Sequence, residues 1–227
     1  MKRLFIFLAA AFLASTTLAQ GVKIMQIIKN DAVDFEIPVS RIDSIIFRSI
    51  TSDEGIVING IRWATRNVDA PGVFAPNPHS AGMFYQWNRR VGWSSTNPMT
   101  NSDGGTAWNS SIPGGTSWTR ENDPCPAGWR VPTQAELTNI SNQPSVWTTR
   151  NGVTGRVFGT APNQIFLPAA GWRNANGTLS NVGTFGSYWS NGGSACCSAW
   201  SLGLGSTSSS VVSGSRVNGH SVRCVAE

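Results

Sequence analysis

The sequence predicts an α+β fold: short antiparallel strands, one capped helix and long loops. Three observations carry that expectation. Charged residues are only 13% of the chain, while Gly numbers 24 and Trp 10 of 227. That balance suits a loop-rich fold anchored by aromatics; a helical bundle needs Glu, Lys, Ala and Leu in bulk. Apolar residues recur at alternate positions in short runs bounded by turn residues, which is strand patterning. One stretch, and one only, carries a strong helix start signal.

The elements follow in chain order. Lys2 and Arg3 precede an unbroken apolar run from Leu4 to Ala14, and Thr17-Leu18-Ala19 offers small residues at a peptidase site. This is the pattern of a secretory signal peptide over residues 1–19. The run is too short to span a bilayer, which takes roughly 20 apolar residues. No Cys stands at the cut, so a lipoprotein is disfavoured, and no membrane span is expected after cleavage. Residues 20–52 form a separate leader module. Val22 to Ile27 and Val33 to Ile37 alternate around Asn30-Asp31 as a β-hairpin, and Ile42 to Phe47 is a further apolar segment. Ser52-Asp53-Glu54-Gly55 breaks the pattern and sets the boundary of a second domain over 53–227.

In that domain Ile56-Val57-Ile58, Asn59-Gly60 and Ile61 to Ala64 read as a second hairpin. Residues 94–118, rich in Ser, Thr, Asn and Gly, read as a long surface loop pinned by Trp108 and Trp118. Thr133 followed by Glu136 is a capping box: each side chain satisfies an amide that the first helical turn leaves free. The helix runs from there past Leu137 and Ile140, and Gln143-Pro144 ends it. Phe166 to Trp172, Tyr188 to Ser190, Ser198 to Leu202 and Ser221 to Val225 read as strands. The stretch 190–218 otherwise reads as a Ser/Gly-rich loop.

Charge and cysteine content exclude some classes. Signal removal takes two of the 17 basic residues and none of the 12 acidic ones, leaving +3 from +5. That is too mild for a nucleic-acid partner, which calls for a clustered basic face. The aromatic content excludes disorder. Cys125, Cys196, Cys197 and Cys224 are an even set in an exported chain and read as disulfides, with three pairings open. The adjacent Cys196 and Cys197 either pair in an eight-membered ring or serve separate partners.

Four pieces then fall together: Asn122-Asp123-Pro124-Cys125-Pro126-Ala127-Gly128-Trp129-Arg130-Val131-Pro132-Thr133, Leu167 to Arg173, Gly186 to Ser190, and Gly219 to Val225. In this order they resemble the Fibrobacter succinogenes major paralogous domain, common in exported proteins of Bacteroidetes. Gly60 to Val68 and Phe84 to Asn88 look like that family's opening, so the likeness covers roughly 56–227. It implies a C-type-lectin-like fold with a large, adaptable loop region. It also implies a disulfide from Cys125, before the helix, to Cys224, near the chain's end. Trp129 and Trp172 then become core or shelf anchors.

The chemistry-bearing residues are few. His79 and His220 are the only histidines, and no Asp or Glu occurs between Leu137 and Ala226. A Ser–His–acid site lacks its orienting carboxylate there. Paired-carboxylate hydrolysis has only Asp103, Glu121, Asp123 and Glu136 to draw on, and Asp123 reads as a turn residue, Glu136 as a cap. The usual lectin Ca²⁺ site, built from loop carboxylates, has no acids to use. No cofactor is expected. The stretch 190–218 resembles the variable region of proteins diversified by retroelements that mutagenise adenines. That likeness implies a ligand-facing surface drawn from Asn191, Ser194, Ala195, Cys196, Cys197, Ser201, Gly203, Gly205, Ser215, Arg216 and Asn218. The leading expectation is an exported, Ca²⁺-independent binding or adhesion module, secreted or at the cell surface, for an extracellular protein or glycan. The alternatives are a structural subunit of a surface assembly and an enzyme of the formylglycine-generating kind of fold.

Overall fold

The computed structural model describes residues 24–29, 32–38 and 53–227. The signal peptide over 1–19, the turn at Asn30-Asp31 and the apolar segment from Ile42 to Phe47 lie outside the described residues. Residue contacts divide the chain into two units, Met1–Ile50 and Thr51–Glu227. In the first, β1 (Ile24–Lys29) pairs antiparallel with β2 (Ala32–Pro38), Lys29 opposite Ala32 and Ile24 opposite Pro38.

The second unit opens on the Asn-Gly hairpin. β3 (Ile56–Ile58) and β4 (Ile61–Trp63) flank Asn59 and Gly60, whose φ angles are 47° and 81°. A two-residue turn that matches strand twist needs positive φ at both central residues, which Asn and Gly tolerate best. β5 (Phe84–Gln86) and β6 (Gly92–Trp93) form the next hairpin. The 94–118 stretch is a loop, as expected, and its tryptophans pin it. Trp108 packs on Trp93 at 4.9 Å, and buried Trp118 donates from Nε1 to the Asn122 carbonyl at 2.8 Å.

β7 (Trp129–Arg130) leads into α1 (Gln134–Ser141). The capping box is formed: Thr133 Oγ1 accepts from the Glu136 amide at 3.2 Å, and Glu136 Oε2 accepts from the Thr133 amide at 2.7 Å. Arg130 adds a two-pronged clasp on the same carboxylate, at 2.8 and 2.7 Å. Burial opposes the charge on Glu136, but the Arg130 guanidinium and the Thr133 amide hold its carboxyl below the usual range. Leu137 and Ile140 face inward and are buried. Asp123 turns the chain, accepting from the amides of Cys125 (2.8 Å) and Val131 (3.0 Å).

β8 (Ser145–Arg150), β9 (Val153–Thr160) and β10 (Asn163–Pro168) form an antiparallel meander. Its first turn is another Asn-Gly pair, Asn151 (φ 51°) and Gly152 (φ 79°). β11 (Trp172–Arg173) and β12 (Leu179–Ser180) follow. Trp129 is buried in the core, while Trp172 is a half-buried shelf against Phe185 at 5.5 Å.

The stretch 190–218 departs in part from expectation: the strand expected over Ser198 to Leu202 is present, but the Ser/Gly-rich segments on either side of it are strands too. It is a three-stranded antiparallel sheet, β13 (Gly186–Ala195), β14 (Ser198–Leu204) and β15 (Ser209–Ser215), in that order. Serine and glycine leave no apolar alternation to read, yet the ladder bonds are made by backbone groups that every non-proline residue carries. Trp189, Leu202 and Leu204 supply the buried side chains beneath it. β16 (Gly219–His220) and β17 (Val225–Ala226) end the chain. The strand expected over Ser221 to Val225 shrinks to this last pair, because Ser221 makes only an isolated parallel bridge to Tyr188 and Val222 only accepts from the Val68 amide.

The remaining strands join into two further sheets, β12-β11-β16-β5-β6 and β3-β4-β17-β7. β17 thus lies between the unit's first hairpin and the strand that leads into the helix. Beside it Cys125 and Cys224 are joined, with Sγ atoms 2.05 Å apart and Cα atoms 6.1 Å apart. One core cluster packs Trp87, Trp118, Trp129, Trp189 and Cys224 together. A second packs α1 against Trp63, Phe158, Leu167, Tyr188 and Leu202. The unit is mainly antiparallel β with one α-helix among the described residues. No described helix is long and apolar enough to cross a membrane.

Candidate functional site

The β13–β14 hairpin projects a tip made of Ser194, Ala195, Cys196 and Cys197. Ala195 faces Ser198 as the last pair of the ladder, so Cys196 and Cys197 are the two turn residues. Ser194 Oγ meets Ser213 Oγ of β15 at 2.7 Å, and Ser215 of β15 faces Ser198. Ala195, Cys196, Ser213 and Ser215 are exposed; Ser194 and Cys197 are half-buried. The patch therefore presents hydroxyls, thiols and small apolar groups, with no charged side chain.

Its base is held from behind. Arg216 is only 4% exposed. It donates from Nε to Ser198 O (2.9 Å), from Nη2 to Ala195 O (2.8 Å), and from Nη1 to Gly115 O (2.8 Å) and Pro113 O (3.2 Å). Its guanidinium carbon lies 4.2 Å from the centre of the Trp87 ring. Its own amide donates to Cys197 O at 3.0 Å. The end of the 94–118 loop is stitched to β13 as well: Gly193 donates to Thr116 O (3.0 Å) and Trp118 to Asn191 O (2.7 Å). A planar guanidinium with five donors can satisfy several carbonyls at once, so one side chain fixes two segments about 80 residues apart, Pro113 to Gly115 and Ala195 to Ser198.

Against this geometry the sequence-derived surface divides. Ser194, Ala195, Cys196, Cys197 and Ser215 gather at the tip. Asn191 and Asn218 are half-buried at its base, tied through their backbones to Pro132 O and Ser215 O. Gly205 lies at the other end of β14, about 20 Å away at ordinary strand rise. Three residues correct the expectation. Ser201 is 1% exposed, on the inward face of β14. Gly203 is buried where an added Cβ would stand 2.9 Å from Phe185. Arg216 is a clamp whose donors all point inward. The expectation omitted Ser213, Thr116 and Ser117, which are exposed, and Trp200, which is half-buried opposite Ser213. The register across β14 identifies Ser213; the sequence signal for it would have been a strand pattern that serines do not display.

Other constellations are structural. Ser187 Oγ and His220 Nδ1 are 2.9 Å apart, which looks like half of a nucleophile–base pair. Both residues are 5% exposed, and the His220 ring stacks on Trp189 at 3.8 Å. Burial pushes the His220 pKa down to about 3, and no carboxylate bonds to it among the described residues. Such an imidazole is an uncharged packing element. A shallow recess of about 280 Å³ lies over β8 and β9, between Val146, Thr148, Val157 and Gln164; none of the tip residues lines it. The chain matches no protein-family model, no curated protein and no solved structure.

Proposed function

We propose that the chain is an exported ligand-binding or adhesion module of C-type-lectin-like fold, akin to the Fibrobacter succinogenes major paralogous domain. It acts outside the cytoplasm, secreted or at the cell surface. Its partner is an extracellular protein or glycan, taken without Ca²⁺ by the tip of the β13–β14 hairpin together with Ser213 and Ser215. The fold part of this reading is supported by the Cys125–Cys224 bridge and by the last strand lying beside the unit's first hairpin. One observation carries the functional part: exposed, uncharged residues are gathered on a tip whose backbone is fixed from behind by Arg216. Variable function placed on a rigid scaffold is the usual division between loops and core. Small hydroxyl-bearing residues suit neutral hydrogen-bonding ligands. Binding through them would change little between low and physiological salt, since no charge pair is there to be screened.

The test is a panel of immobilised glycans and extracellular proteins. It is probed with the wild type and with a variant replacing Ser194, Ala195, Cys196, Cys197, Ser213 and Ser215 together. Loss of a wild-type ligand by the variant, with unchanged far-ultraviolet circular dichroism, is expected. Equal binding by both overturns the assignment to the tip. A second reading, a structural subunit of a surface assembly, is favoured by one feature. β15 is an edge strand without charge or proline, and such edges pair readily with other chains. Concentration-dependent oligomers that a Val212→Lys change abolishes would support it.

A further inference from the structure

The hairpin tip carries a second chemistry that ligand display does not use. Cys196 and Cys197 fill the two turn positions between Ala195 and Ser198. Cys196 is exposed and Cys197 half-buried, and neither belongs to the Cys125–Cys224 bridge. Their Sγ atoms lie 2.7 Å apart. Two thiolates sharing a tetrahedral soft metal stand about 3.8 Å apart, given metal–sulfur bonds of about 2.3 Å. A disulfide needs about 2.05 Å. The pair is closer to a bond than to a chelate. The turn has little freedom to open. Arg216 holds the carbonyls of Ala195, Cys197 and Ser198 at 2.8, 3.0 and 2.9 Å.

We propose that Cys196 and Cys197 are a redox-active dithiol site that takes small-molecule disulfides and closes into a vicinal disulfide. The exposed Cys196 thiolate attacks one sulfur of the external disulfide. A mixed disulfide forms on Cys196 and one small thiolate leaves. The Cys197 thiolate then attacks Cys196 Sγ, the Cys196–Cys197 bond forms, and the second small thiolate leaves. The two cysteines lose two protons and two electrons, and the external disulfide is reduced to two thiols. Adjacent Cα atoms are about 3.8 Å apart, short of the usual disulfide span, so the ring is strained and readily reopened by a dithiol. The Cys125–Cys224 bridge, with Cys224 buried and Cys125 half-buried, has the ordinary span and serves as an internal reference. In the reduced pair the hydrogen bond with Cys196 pushes the Cys197 thiol up in pKa; both attacks are by thiolates and quicken as pH rises. The site stands independently of the ligand-binding reading.

The test uses the full unit containing Cys125–Cys224, reduced at the tip and mixed with oxidised glutathione, then followed by peptide mass mapping and alkylation. The wild type is expected to yield a tip peptide lighter by two hydrogens, to resist alkylation and to carry no glutathione. Two equivalents of reduced glutathione appear. Cys197→Ser is expected to hold the glutathione adduct on Cys196. Its occupancy should be on the order of tenfold above wild type, because the resolving thiol acts at high effective concentration. Three results overturn the proposal: an adduct as persistent in wild type as in Cys197→Ser, a disulfide-linked dimer through Cys196, or two tip thiols that still alkylate. The wild-type peptide map decides the matter even where the variant folds poorly.

Discussion

Arg216 shows how much a single side chain can organise. Its four carbonyl partners, on Pro113, Gly115, Ala195 and Ser198, lose their donors together if the guanidinium goes. Arg216→Met keeps the stem and removes the bonds. Stability should fall by about 2–4 kcal/mol, because one buried and three part-buried acceptors lose their donor together, as read from the denaturant midpoint. Arg216→Lys should recover little of it, since an ammonium cannot span both segments. Gly193 tests the same contact from the other side. An added Cβ there would collide with the Arg216 guanidinium, so Gly193→Ala should loosen the tip, seen as faster amide exchange at Ala195 and Ser198. His220 gives the residue-level pH dependence. Its folded pKa of about 3 lies below the unfolded value of about 6.5. The unfolded chain therefore binds the proton first. Stability is full above about pH 6.5 and is lost as pH falls toward 3. His220→Asn should flatten the upper part of that slope, between about pH 6.5 and 5.

Elements differ in how openly their residues announce them. The Thr133–Glu136 box and the Asn59-Gly60 turn were legible because their partners lie within three residues. The second Asn-Gly turn, at Asn151, carried the same signal, and sequence reading passed over it. β13 to β15 were only partly legible: Trp200 and Leu202 alternate with small residues in β14, but the Ser-Gly run after Ser190 has no period to read. What Arg130 does for α1 was also hidden. Its residue type appears in the Gly-Trp-Arg string, yet the bidentate clasp on Glu136 emerges only once β7 and the helix start are placed together. Thr133→Ala should cost about 1 kcal/mol, the ordinary value of a helix cap. Arg130→Ala should add to that cost less than its own separate effect, because both act on one carboxylate. A double-mutant cycle on thermal unfolding checks the coupling.

At the scale of the molecule, the bridge between Cys125 and Cys224 and the insertion of β17 between β4 and β7 tie the helix start to the chain's end. Removing the bridge by changing both cysteines to Ser should cost about 2–4 kcal/mol, against a chain-entropy ceiling of about 4.7 for a loop of this size. The candidate site was half legible from sequence. Composition singled out the stretch, but which of its side chains face outward depends on register, so the sequence could not show that Ser201 and Arg216 are buried and Ser213 exposed. A ligand-binding tip of this kind requires a separation between a base that needs its residues and a tip that does not. Thermal unfolding of a library randomised at residues 194–197, 213 and 215 measures that separation directly. Midpoints clustered within a few degrees of wild type are the expected result, with substitutions at Ser201 and Arg216 falling well below them. Tip variants that unfold as readily as those at Ser201 and Arg216 would contradict it.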